Sequence, residues 1–184
     1  MKEDAIKTII DYHLNKWDDI ALNSLPIRIE TEMADPTQDK KEEWRIWFPI
    51  DSRVNDFEIE EFENQLGHKL PNDYKTFLKH KHFYELQISE VSFCRHPVNI
   101  WKASLSEMIF EDYPTEFLIE KGYVPFARWS DWGLLCFDSN RNKENLNYPI
   151  VLWDHETEDQ INDEYEDFYS FLTEIDIEDK KNIS

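Results

Sequence analysis

The chain has 184 residues, of which 40% are hydrophobic, 15% aromatic and 33% charged. That apolar and aromatic content excludes a disordered chain, and the length suits one domain that buries roughly 70% of its unfolded surface. The formal net charge of −20 repels phosphate backbones and anionic bilayers, so charge-driven binding of nucleic acid or membrane is not expected, whereas basic proteins are attracted.

The amino terminus, MKEDAIKTIIDYHLNKWDD, sets acids among its apolar positions and does not read as a signal peptide. No run approaches the ~20 apolar residues of a membrane span. A cytoplasmic location is expected. Cys94 and Cys136 lie in apolar segments, VSFCRH and GLLCFD, and read as buried, reduced thiols. Along the chain, Ile6, Ile9, Ile10, Leu14, Trp17, Ile20 and Ala21 recur at near-helical spacing, which predicts an amphipathic helix over 3–23. Alternation at Ile27, Ile29 and Thr31 predicts an edge strand, residues 34–43 a polar loop, and 44–50 a second strand.

The next signals are sharper. Asn55 with Glu58 three residues on makes a capping box; Ile59, Phe62, Glu63 and Leu66 continue that helix, and Gly67 supplies a left-handed stop. Pro71 suits the first position of a second helix whose inner face is Tyr74, Phe77 and Leu78. His80 and His82 form an H-x-H pair that, on a helix, would point in different directions and not chelate. Short strands are predicted over 86–94 and 97–101, helices over 104–110 and 114–121 with Gly122 as the stop, and strands over 123–127, 133–138 and 149–153. Tyr165, Phe168, Tyr169, Leu172 and Ile175 mark a final amphipathic helix. The order of elements predicts an α+β fold with a largely antiparallel sheet and helices on one side.

Four blocks in sequence carry a family likeness: IEEFENQLGHKLPNDYKTFL from Ile59, GYVPFARWSDWGLLCFD from Gly122, YPIVLWDHE from Tyr148, and DFYSFL in the final helix. Together they resemble the SUKH superfamily, which includes the fungal Smi/Knr-type cell-wall-assembly regulators and many bacterial immunity proteins. The likeness spans about 44–175, with 1–43 as an amino-terminal extension of helix and edge strand. It implies a single domain over 1–184, a twisted sheet flanked by helices, and no known catalytic machinery or cofactor. Bacterial members neutralise a cognate toxin, often a nuclease; fungal members act as regulatory interaction modules. The family-like positions are Gly67, Leu70, Pro71, Tyr74, Pro125, Asp138, Trp153 and His155, and their residue types suit a helix stop, a turn, core aromatics and strand ends.

No activated nucleophile accompanies His155, so a hydrogen-bonded histidine at a strand end is expected there, and hydrolase chemistry at Asp154 and His155 is the minor alternative. No metal site is expected, since the acidic spacing does not match an EF-hand. Trp101 and Trp153 read as core. The Trp129-Ser130-Asp131-Trp132 corner is either a tight hairpin with its indoles folded onto the sheet or an exposed aromatic anchor beside a carboxylate. The acidic run over 154–167 is either a solvated loop and helix start or a surface that steers a basic partner. The functional reading is therefore an immunity-type protein that caps a basic toxin, with Trp129, Asp131, Trp132, Glu156, Glu158 and Asp159 as partner-binding candidates. A regulatory scaffold is the alternative.

Overall fold

A computed structural model describes residues 1–19 (side chains to residue 16), 23–39, 41–131, 133–141, 146–154, 157 and 161–182. In chain order the elements are α1 (Lys2–Asp19), β1 (Ser24–Leu25), β2 (Arg45–Ile46), β3 (Ile50–Asp51), α2 (Asp56–Leu66), α3 (Asn72–Leu78), β4 (Lys81–His82), β5 (Gln87–Ile88), β6 (Val91–Phe93), α4 (Trp101–Phe110), β7 (Tyr123–Trp129), β8 (Gly133–Asp138), β9 (Ile150–Asp154), β10 (Ile161–Tyr165) and α5 (Phe168–Asn182). The predicted α+β class is observed. Its centre is a six-stranded antiparallel sheet in the order β10-β9-β8-β7-β6-β5, accompanied by two-stranded pairs β1–β2 and β3–β4.

Side chains on successive residues of a strand face opposite ways, and both faces of this sheet are covered. Phe126, Leu135, Phe137, Ile150 and Leu152 join the main cluster with Ile6, Ile10 and Leu14 of α1, Tyr74 and Phe77 of α3, and Phe168, Phe171 and Ile175 of α5. Phe126 and Phe137 stack at 4.2 Å at the middle of this cluster. On the other face Leu134, Cys136, Val151 and Trp153 meet Met108 of α4 and Leu118. The expectation of helices on one side is thus corrected. Every residue of β8 is buried, the signature of a strand covered twice, and the unbroken apolar runs of β8 and β9 carry it.

The amino-terminal helix is integral to this core. Besides its apolar stripe, the buried His13 donates from Nε2 to Asp176 Oδ1 of α5 at 2.9 Å, and Lys16 pairs with Asp179 at 2.8 Å. Asn55 and Glu58 form the capping box of α2, and Gly67 ends it at φ 75°. Pro71 occupies the N-cap of α3, one position earlier than predicted, and its carbonyl accepts from the Lys75 N–H at 2.9 Å.

Several short elements depart from expectation. No strand forms over 27–31: the Glu30 N–H donates to the Tyr84 hydroxyl, and the Glu30 carbonyl accepts from Met33 and Ala34, which turns the chain. The strand predicted over 44–50 divides into β2 and β3 around Pro49, which has no N–H to donate. Residues 97–100 form no strand, and α4 begins at Trp101, so that tryptophan starts a helix while remaining core. Between Pro114 and Gly122 only one 3-10 turn forms, Ile119–Lys121, in which the Lys121 N–H donates to the Leu118 carbonyl at 2.9 Å. Gly122 closes it at φ 83°.

His80 and His82 do not lie on a helix. His82 is fully buried in β4: its Nε2 accepts from the Arg53 N–H at 2.9 Å, and its Nδ1–H donates to the His96 carbonyl at 2.9 Å. His96, also buried, donates from Nε2 to the Leu78 carbonyl at 2.8 Å. Burial pushes the His96 imidazole down to about 3, with the neighbouring His82 acting in the same direction. The folded state therefore holds His96 neutral where the unfolded chain, with an ordinary value of 6.5, takes up a proton. Stability is full above about pH 6.5 and falls as the pH drops below it, by about 2 kcal/mol at pH 5 from this residue. Urea unfolding at pH 7 and pH 5 checks this: His96→Gln should remove about 2 kcal/mol of the wild-type difference between the two pH values, and an unchanged difference contradicts it.

Candidate partner-binding surface

The antiparallel meander brings three connections to one end of the main sheet. β5 and β6 join there through Ser89 and Glu90, β7 and β8 through 130–132, and β9 leaves and β10 returns at the same end. Glu90 and Asp131 are exposed, and Asp154 ends β9 opposite Gly133. Backbone bonds hold the first two connections together: the Ser130 N–H donates to the Glu90 carbonyl at 2.8 Å. Both turns use left-handed residues, Ser89 at φ 52° and Ser130 at φ 50°. The Ser89 N–H in turn donates to Asp179 Oδ1 at 3.2 Å, which ties the corner to α5. A sheet end fixed in this way presents carboxylates with little ordering to lose on binding.

Trp129 is half-buried and packs against the main cluster, so its indole braces the corner from below. Asp131 lies at the tip. Trp132, His155, Glu156, Glu158 and Asp159 lie outside the described residues. The acidic run over 154–167 is not simply a loop and helix start, since 161–165 forms the edge strand β10. Two of its carboxylates serve the fold. Arg141 joins Asp163 at 2.9 Å to the buried Asp138 of β8, and its hydrogen bonds hold the Asp163 carboxyl below its ordinary value. Asp167 caps α5 by accepting from the Ser170 N–H at 2.8 Å.

The remaining family-like positions build structure. The Leu70 N–H donates at 2.9 Å to Glu63, whose carboxylate also holds Lys69 at 2.8 Å and Lys75. Tyr74 lies among Phe77, Phe126, Phe137 and Phe168. Pro125 sits at a bulge of β7, and Trp153 is buried on the second face. Glu90 is the surface residue that sequence reasoning did not single out. The parity of a meander, in which alternate connections share an end, is the signal that could have found it.

Both cysteines are free thiols. Burial pushes Cys94 up to about 12 and raises Cys136 as well, so neither is an activated nucleophile. Among the described residues, no group of three His, Cys, Asp or Glu side chains could hold a metal ion, and no helix is long and apolar enough to cross a membrane.

An antiparallel sheet with helices packed on both faces is the architecture of an α+β domain. The chain belongs to the SMI1-KNR4 cell-wall family, SUKH_5, whose model matches residues 32–176. The match begins earlier than the 44–175 recognised in the sequence and takes in the loop over 32–43. No curated protein matches the chain.

Proposed function

We propose that this chain is a non-catalytic protein-binding domain, an immunity protein that neutralises a cognate toxin by covering it with the acidic end of its main sheet. The observation that carries this reading is the alignment of Glu90, Asp131 and Asp154 on neighbouring strand ends of a chain whose net charge is −20. A nuclease is the fitting partner class, because a protein that binds phosphates presents basic groups that these carboxylates can occupy. Family membership supports an interaction role, and the cell-wall regulators of the family suggest the competing reading of a regulatory scaffold.

Co-expression with the product of the adjacent gene, read as growth rescue, tests the proposal. Rescue together with co-purification of the two proteins is expected. A neighbouring product that is harmless when expressed alone, or toxicity unchanged by this chain, overturns the immunity reading in favour of the scaffold.

A further inference from the structure

Residues from 27–39 and 41–45 wall a cleft of about 680 Å³, within the size range of natural binding sites. Its lining combines apolar groups from Ile27, Ile29 and Pro36 with charged groups from Arg28, Glu42 and Glu43. The walls are held in place from several sides. The Glu30 N–H is bound by the Tyr84 hydroxyl at 2.8 Å, and the Glu30 carboxylate accepts from the Asn99 N–H at 3.0 Å. Gln38 accepts from the Ile46 N–H at 2.9 Å and donates to the Trp44 carbonyl at 2.7 Å. These bonds leave the cleft preformed, so occupying it orders little of the chain.

Two charged groups in the lining are uncommitted: among the described residues, Arg28 and Glu43 make no hydrogen bond or ion pair. A free arginine in a partly apolar cleft is one of the residue types that dominate binding energy at protein interfaces. Among the described residues of the lining, carboxylates outnumber guanidinium groups, with Asp35, Glu42 and Glu43 against Arg28 and Arg45. The surrounding field of a −20 chain further favours a basic occupant.

We propose that this cleft docks a basic, partly apolar loop of the partner protein: a lysine or arginine of the loop pairs with Glu43, and an adjacent aliphatic side chain packs on Ile27, Ile29 and Pro36. Arg28 would meet main-chain carbonyls of the same loop. This rests on the reading of the chain as a protein-binding domain, and it adds a second contact surface to the acidic sheet end.

The test titrates the isotopically labelled full chain with two capped peptides, Gly-Leu-Arg-Ile-Gly and Gly-Leu-Glu-Ile-Gly, while amide resonances are followed. The basic peptide is expected to shift resonances over 27–45, and Glu43→Lys should weaken that response about fivefold to tenfold. The substituted side chain is exposed, and an unchanged far-UV circular dichroism spectrum verifies the fold of the variant. A preference for the acidic peptide, or no response over 27–45, overturns the proposal. Shifts confined to the sheet end around Glu90 and Asp131 overturn the cleft alone, whereas failure of the binding reading itself shows separately as absent rescue on co-expression.

Discussion

Replacing Glu63 with alanine is expected to cost about 2–3 kcal/mol of stability. The carboxylate is buried at the end of α2 and receives the Leu70 N–H, Lys69 and Lys75. Burial alone would push its carboxyl up, but the bonds to the two lysines and to Leu70 outweigh that and hold it below its ordinary value. Lys69 is half exposed, so its share is small. The larger losses are the buried Leu70 N–H left without an acceptor and the charge-assisted bond to Lys75. Glu63→Gln keeps an oxygen for Leu70 and should cost only about 1 kcal/mol. Urea unfolding of both variants checks the ordering. An alanine variant within about 0.5 kcal/mol of wild type, the range of ordinary surface changes, contradicts this account of the turn.

Glu63 also shows how far the sequence could be read. Its place on α2 follows from the capping box at Asn55 and the stop at Gly67, both local signals. Its role as anchor for the 67–71 turn depends on Lys75 and Leu70 arriving from the next element, which spacing alone does not reveal. The strands β7, β8 and β9 are legible because apolar runs fix them, and the burial of both sheet faces is implicit in the same runs. β10 is hidden because INDEY reads as polar chain. As an edge strand it needs only Ile161 and Tyr165 partly buried, and charges such as Asp163 and Glu164 guard an open edge against unwanted pairing. The Trp129 corner is visible as a corner, but the direction of its indole, towards the main cluster, is set by tertiary packing. The segment over 27–31 alternates like a strand and fails to become one because Tyr84, distant in sequence, takes its N–H.

Reversing two charges at the sheet end, with Glu90→Lys and Asp131→Lys together, is expected to slow association with a basic partner about tenfold at low ionic strength while dissociation changes less. Both side chains are exposed at neighbouring turns, so the fold should tolerate the change. The same double variant should protect poorly when co-expressed with the adjacent gene product at limiting dose. An association rate within twofold of wild type, with growth rescue intact, would place the contact elsewhere on the molecule.

The most direct measurement of the central claim is the association rate of the purified chain with the product of the adjacent gene, followed by stopped flow as salt is raised. Steering by a preformed acidic surface predicts a rate that falls steeply with ionic strength for the wild type and much less for the Glu90→Lys, Asp131→Lys variant. A rate that is flat with salt, or one that falls equally for both proteins, would contradict it.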